Sequence, residues 1–175
     1  MVVPGTEAAA LIVPSLAASL AAVLDQRRAL AARIEELLEA HPLSQVLTSM
    51  PGIGVRTGAR ILIDVGDGST FPTAGHLAAY AGLAPVTRRS GSSIRSEHPA
   101  RRGNKQLKRA LYLAAFASLS QPESRAYYDK KRGEGKHHVA ALVALARRRV
   151  DVLFAMLRDG TFYQAPAIAS ACRRR

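Results

Sequence analysis

The chain has 175 residues, and its 25 lysines and arginines outnumber its 13 aspartates and glutamates, which gives a formal charge of +12 at pH 7. This length suits one globular domain with an appendage, and the charge favours a polyanionic partner, most simply DNA or RNA, with an acidic membrane surface as the alternative. A single cysteine, Cys172, excludes a disulfide framework or a cysteine zinc site and indicates a reducing cytoplasm.

The amino-terminal part of the chain is apolar. Residues 1–14 lack the basic start of a signal peptide, and we expect them to be disordered. Residues 15–41 predict one long coiled-coil-like helix, in which Arg27 interrupts an apolar stripe with a seven-residue repeat. The stripe consists of Leu16, Leu20, Val23, Leu30, Ile34 and Leu37. It is typical either of a helix lying on its own domain or of a coil with a second copy of the chain. We expect no apolar run long enough to span a bilayer, and no membrane partner.

The segment 43–65 predicts two short helices joined by a tight turn. Pro51 ends the first helix, because the residue before a proline is pushed out of the α region. Glycines on both sides of Ile53 let the backbone turn and approach a surface closely, and Ile53 itself fills the angle between the helices. Free amides at the start of the second helix suit a phosphate. The predicted nucleic-acid contacts are Gly52, Ile53, Gly54, Val55, Arg56 and Thr57.

This turn resembles the helix-hairpin-helix motif, which grips the nucleic-acid backbone without reading bases. A corner between helices whose glycines only permit close packing is the alternative. Asp64 and Asp67 follow on a turn and invite a metal site. Two acids in a turn more often act as caps, and no third ligand follows at a recognisable spacing, so we predict no metal here.

A polar, serine- and glycine-rich stretch occupies residues 86–102 and predicts an exposed loop or a loose hairpin. Its basic residues are Arg88, Arg89, Arg95, Arg101 and Arg102. Asn104 then opens a helix through Ser120, whose first turns carry Lys105 and Lys108. These basic residues and Asn104 are predicted nucleic-acid contacts. Two further helices follow, and we expect residues 164–175 to be a disordered basic tail.

A family resemblance rests on the order of four segments along the chain. These are the Pro-Gly-Ile-Gly turn, the segment 77–85, the Ser90-Gly91 pair and the Arg102-Gly103-Asn104 triplet. Together they resemble the C-terminal transposase domain of bacterial insertion-sequence recombinases of the Piv invertase type. The resemblance covers about residues 43–163 and implies a mainly α-helical transposase domain over 42–163.

In that family a DEDD, RuvC-like nuclease domain comes first and holds Mg²⁺ on carboxylates, and a coiled-coil connector follows it. The resemblance implies that the present domain contributes a serine that attacks a DNA phosphodiester. Ser90 matches that serine, with Ser92 and Ser93 as alternatives, and His98 is the one nearby candidate for a base. Nothing before Ser15 is expected to form the RuvC-like domain, so we expect no cofactor in this chain.

The resemblance also implies a set of partners. DNA is the first, a guide RNA is a candidate because some members use a structured RNA, and a second copy can bind through the N-terminal helix. We expect a bacterial, nucleoid-associated protein whose isolated chain binds DNA without recombining it. The alternatives are a non-enzymatic helix-hairpin-helix module and a coiled-coil interaction protein whose charge is incidental.

Overall fold

The structure is a computed structural model that describes residues 5–90, 94–98 and 102–165, with the backbone pairing alone for 86–90 and 94–98. It is mainly α-helical, as predicted. The helices are α1 (Thr6–Glu39), α2 (Ser44–Ser49), α3 (Val55–Val65), α4 (Ala74–Tyr80), α5 (Lys105–Ala117), α6 (Pro122–Gly133) and α7 (His138–Asp159), and a 3₁₀ turn (Ser118–Ser120) follows α5. The strands are β1 (Val86–Ser90) and β2 (Ile94–His98).

Helix α7 forms the centre of the fold and contacts α2, α4, α5 and α6. Apolar residues recur along it at intervals of three and four, which places them on one face of the helix. Leu142, Val150 and Leu153 on that face are almost completely buried. They join Leu77 of α4 and Leu107 of α5, so the core is a contact between helices built from leucine, valine and alanine.

Helix α1 begins at Thr6, so the prediction that residues 1–14 are disordered and that the helix starts at Ser15 was wrong from Thr6 onward. Pro14 lies inside the helix. A proline there removes one backbone hydrogen bond, but alanine and leucine on both sides favour the helix strongly enough to continue through it. The helix has 34 residues, which corresponds to a length of about 50 Å.

Most of α1 lies away from the core. Its only buried residue within the described helix is Leu38, and the heptad stripe is 40% to 63% exposed. The structure therefore does not show a helix lying on its own domain.

The length and composition of α1 also overturn the prediction about membrane spans. An 18-residue window of this helix has a mean hydropathy of 1.9, and none of that window is buried, so the helix is long and apolar enough to cross a bilayer. The prediction was wrong because the continuous helix carries few charged residues over this window.

Strands β1 and β2 form a two-stranded antiparallel hairpin, which is the second of the two forms predicted for residues 86–102. The register pairs Val86 with His98 at the base of the hairpin and Ser90 with Ile94 at its far end. Ser92, Ser93 and Arg101 lie outside the described residues, as does most of the predicted tail, from 166 to 175.

Several predicted boundaries agree with local chemistry. Thr73 accepts a hydrogen bond from the amide of His76 and caps α4, and Gly160 ends α7 in a left-handed conformation. Helix α2 begins at Ser44, after the two turn residues Pro42 and Leu43.

Candidate nucleic-acid interface

The turn between α2 and α3, here called the elbow (residues 50–54), has the shape that the sequence predicts. The amide of Ile53 donates a hydrogen bond to the carbonyl of Met50 at 3.1 Å, which closes the turn. The side chain of Ile53 is buried and lies close to the Cα of Gly58 in α3. Ile53 is thus the apolar plug between the helices, and it is a structural residue rather than an exposed contact.

The two glycines of the elbow have different surroundings. Gly52 has a φ of +83°, and a Cβ placed on it would lie 2.3 Å from the carbonyl oxygen of Ala114 and 2.9 Å from the amide nitrogen of Ser118. Gly54 has an extended backbone, is exposed, and has no atom within 4 Å of such a Cβ. Gly52 therefore allows the elbow to pack on the C-terminal end of α5, whereas Gly54 leaves space for a ligand.

The N-terminus of α3 faces that space. Among the described residues no side chain caps this helix at Gly54, so its first-turn amides are available to an outside acceptor. Arg56, the second residue of α3, is exposed, while Val55 and Thr57 are half-buried. A helix N-terminus with free amides and an adjacent guanidinium group is suited to a phosphate.

A buried arginine that was not among the predicted site residues contacts the elbow. Arg149 of α7 is 8% exposed and donates a hydrogen bond to the carbonyl of Pro51. Burial lowers the pKa of its guanidinium group. The signal was available, since Arg149 follows Leu145 by four residues and precedes Leu153 by four, which places it on the apolar face of the helix.

The N-terminus of α5, in contrast, already has a cap. The side-chain oxygen of Asn104 accepts hydrogen bonds from the amides of Gln106 and Leu107, both at 3.0 Å, and its side-chain nitrogen donates to the hydroxyl of Tyr80. Asn104 was predicted to contact nucleic acid, but these bonds give it a structural role. Lys105 and Arg102 are exposed and Lys108 is half-buried, so the charge at this end comes from side chains rather than from free amides.

Two glycines join the stems of the β1–β2 hairpin. A Cβ on Gly82 would lie 2.7 Å from the carbonyl oxygen of Arg102, and a Cβ on Gly103 would lie 2.8 Å from the amide nitrogen of Gly82. The amide of Asn104 donates to the carbonyl of Tyr80 at 2.8 Å. Because the two stems touch backbone to backbone, the base of the hairpin is fixed to α4 and α5.

Ser90 is the last residue of β1, directly before the segment 91–93. His98 pairs with Val86 at the other end of the ladder, four residue pairs away from Ser90. At the rise of an antiparallel strand this separation is about 13 Å. The backbone register therefore separates Ser90 and His98 along the same hairpin.

The register also divides the predicted arginines. Arg89 pairs with Arg95 across the hairpin, and Arg88 occupies an alternate position of β1 with Ser90. Alternate residues of a strand belong to one face of the sheet, so Arg88 shares a face with Ser90 and the Arg89–Arg95 pair belongs to the other.

The elbow and the hairpin base do not converge on one point. The elbow packs on Ala114 and Ser118, while the hairpin stems meet at Asn104, at the opposite end of α5. The helical rise puts these two places roughly 15–20 Å apart along α5. They are suited to contact a nucleic-acid backbone at separate positions.

The described residues do not fit a Mg²⁺ site. They contain no group of three or more histidine, cysteine, aspartate or glutamate side chains placed to hold a metal ion. Asp64 accepts hydrogen bonds from Arg60, the shorter at 2.7 Å. Hydrogen bonds from the Ser69 hydroxyl and from the Ser69 amide, the latter at 2.9 Å, lower the pKa of Asp67. Asp67 therefore has the turn role that the sequence predicts, whereas Asp64 lies inside α3 and forms an ion pair with Arg60 instead of a cap.

Comparison with known proteins shows that the chain is similar to insertion-element proteins. Residues 44–129 match the family described as Transposase IS116/IS110/IS902. The chain is 64% identical over 166 residues to an insertion element IS110 uncharacterized 43.6 kDa protein of Streptomyces coelicolor, covering 94% of this chain and 41% of that protein. It is 45% identical over 172 residues to an insertion element IS900 uncharacterized 42 kDa protein of Mycobacterium paratuberculosis, covering 97% and 43%.

A pilin gene-inverting protein of Moraxella bovis is 34% identical over 119 residues, which is 66% of this chain and 37% of that protein. The chain therefore spans less than half the length of the relatives named here.

Proposed function

We propose that this chain is a DNA-binding part of an insertion-element transposase, because residues 44–129 match the family described as Transposase IS116/IS110/IS902. In this proposal the elbow acts as a helix-hairpin-helix and the N-terminus of α3 binds a phosphate of the DNA backbone. The Moraxella bovis relative is named as a pilin gene-inverting protein, and the inversion of a gene is a rearrangement of DNA.

The observation that carries this proposal is the difference between the two basic helix ends. The amides that start α5 are occupied by Asn104, whereas those that start α3 have no side-chain cap among the described residues and lie beside the exposed Arg56. A phosphate supplies the acceptor and the negative charge that the start of α3 lacks. It carries no base information, so binding should depend little on sequence.

A binding experiment tests the role of α3. Arg56→Ala should weaken binding of a fluorescent DNA duplex and reduce the salt dependence, since each lost phosphate contact lowers the slope of log K against log salt by about 0.9. Arg125→Ala is the matched control, because Arg125 is an exposed arginine paired with Asp129 on α6. Equal effects of the two substitutions would contradict the assignment, and binding insensitive to salt would favour an interaction protein whose charge is incidental.

We further propose Ser90 as the nucleophile. Its Oγ would form a bond to phosphorus while one bond from phosphorus to a deoxyribose oxygen breaks; the hydroxyl proton passes to a base and the leaving oxygen takes up a proton. The register separates His98 from Ser90 along the ladder, and we assign this role to a separate DEDD, RuvC-like domain. That domain would also hold the Mg²⁺ that the described residues do not fit, and Mg²⁺ there would stabilise charge at the phosphate.

A trapping experiment separates this reading from a non-enzymatic module. The chain should bind supercoiled DNA with Mg²⁺ but not exchange its strands, and a covalent adduct should appear only when the partner domain is supplied. That adduct should disappear in Ser90→Ala and persist in Ser92→Ala. An adduct lost in Ser92→Ala instead would move the nucleophile, and DNA binding without any adduct would favour the non-enzymatic helix-hairpin-helix module.

We also propose that α1 pairs with α1 of a second copy through the heptad stripe. The six apolar side chains of the heptad stripe are exposed on this helix, and an exposed apolar surface of this kind marks an interaction site. Sedimentation should show a dimer that Leu30→Glu dissociates, while Glu35→Gln, which lies off the stripe, should leave it intact. A monomer that floats with phospholipid vesicles would refute this proposal and support a membrane contact.

A further inference from the structure

An open groove of about 410 Å³ lies between α1 and α3, next to the elbow. We call it the arginine groove; it is lined by Leu24, Arg27, Arg28, Ala31 and Arg56. The groove exists because α3 packs on the C-terminal end of α1, where Gly58 lies against Leu38. Three guanidinium groups from two helices therefore gather beside the N-terminus of α3. A water molecule occupies about 30 Å³ in the liquid, so the groove has room for a phosphate.

The charges around the arginine groove do not balance. Asp25 accepts a hydrogen bond from Arg28 at 2.8 Å, and both side chains are exposed. Within the described ranges, neither Arg27 nor Arg56 forms a hydrogen bond or an ion pair. Like charges that line one groove repel one another, and among the described residues no hydrogen bond or ion pair compensates the charge of Arg27 or Arg56. An anion in the groove would remove that repulsion.

The position of Arg27 in the sequence also favours a bound anion in the arginine groove. It interrupts the heptad stripe between Leu20 and Ile34, where an apolar residue would stabilise a coil. Leu24 and Ala31, spaced seven residues apart, lie on the side of α1 that forms the groove, so Arg27 stands at the border between the groove and the stripe. A role in the groove accounts for a charged residue at a position where the coil would lose stability.

We propose that the arginine groove binds a second phosphate of the same DNA strand whose neighbouring phosphate lies at the N-terminus of α3. This inference rests on the proposed function and extends it from the transposase domain onto the long helix. Guanidinium groups suit the site because they bind phosphate oxygens with two parallel hydrogen bonds. Leu24 and Ala31 offer apolar surface to the sugar carbons. DNA would then run from the elbow along α1, and α1 would bind DNA on one face and a second copy on another.

Salt-dependent binding of the full chain to a fluorescent 30-base-pair duplex tests the inference. Arg27→Ala should reduce the slope of log K against log salt by about 0.9, because one phosphate contact is lost. Arg28→Ala should reduce it less, since Asp25 already holds that side chain. Arg33→Ala is the matched control: Arg33 lies on the same helix, is 60% exposed, pairs with Glu36 and is not among the residues that line the groove.

The outcomes separate this inference from the proposed function. If Arg56→Ala weakens binding while Arg27→Ala behaves like Arg33→Ala, α3 binds DNA and the arginine groove does not. If the unchanged chain fails to bind the duplex at all, the proposed function itself is wrong. A slope change with a structured RNA but none with DNA would overturn the assignment to DNA. Sedimentation of Arg27→Ala must show an unchanged mass, so that a change at the stripe is not mistaken for a change in the groove.

Discussion

The two glycines of the elbow allow a paired test, because the structure assigns packing to one and ligand access to the other. Gly52→Ala places a methyl group in a left-handed backbone conformation, which costs about 1–2 kcal/mol. The methyl group also meets the carbonyl oxygen of Ala114 at 2.3 Å, so backbone must shift. Overpacking of that kind costs about 1–3 kcal/mol. We therefore expect the free energy of unfolding to fall by about 2–5 kcal/mol, a large part of the 5–15 kcal/mol typical of a domain.

Gly54→Ala should give the opposite pattern. The backbone of Gly54 is extended and its surroundings are open, so the main cost is a poorer helix cap, about 1 kcal/mol or less. A methyl group at this position would lie between the α3 amides and a phosphate, and duplex binding should weaken. Urea denaturation followed by circular dichroism gives the stabilities, and fluorescence anisotropy gives the affinities. Equal stability of the two variants, or unchanged DNA affinity of Gly54→Ala, would refute the distinction.

Three further substitutions test single contacts. Asn104→Ala should lower the free energy of unfolding by about 1 kcal/mol through loss of the α5 cap, and Asn104→Ser should restore most of it in urea denaturation. Arg149→Met keeps the buried volume but leaves the carbonyl of Pro51 without its donor, so we expect a loss of about 1–3 kcal/mol; a more stable variant would show that the cost of burying the cation dominates. Burial and the nearby carboxylate of Glu123 raise the pKa of Tyr163. The folded state then holds the hydroxyl proton of Tyr163 more tightly than the unfolded chain does. The stability that this proton contributes below the ordinary tyrosine pKa should therefore be lost as the pH rises above that pKa. Tyr163→Phe should reduce the loss in denaturation curves measured from pH 9 to 11.

Local chemistry in the sequence predicts the features that depend on neighbouring residues. Proline, glycine and polar caps mark the ends of α4, α5 and α7, and the Pro51-to-Gly54 turn predicts the elbow. The position of Ser90 near the end of a hairpin also follows from composition, although the alternation of serine, glycine and arginine cannot fix a register. The structure supplies that register, and with it the distance that separates Ser90 from His98.

Features that depend on distant contacts could not be predicted in this way. The contact of Gly52 with the backbone near Ala114 joins residues far apart in the chain, and neither segment alone predicts it. The hydrogen bond from the amide of Asn104 to the carbonyl of Tyr80 likewise joins residues that lie far apart in the chain. Pro14 misled the prediction for the opposite reason, because a strong local signal was overridden by the helix-forming residues around it.

The backbone contact between Gly82 and Gly103 has a consequence for how the domain can change. Strands β1 and β2 pair with each other, and the chain before β1 and the chain before α5 are fixed to each other where Gly82 meets Gly103. A hairpin placed between two such fixed points can be shortened or exchanged while the helices keep their arrangement. The hairpin and the helical body can therefore diversify independently, provided that both glycines stay at the junction.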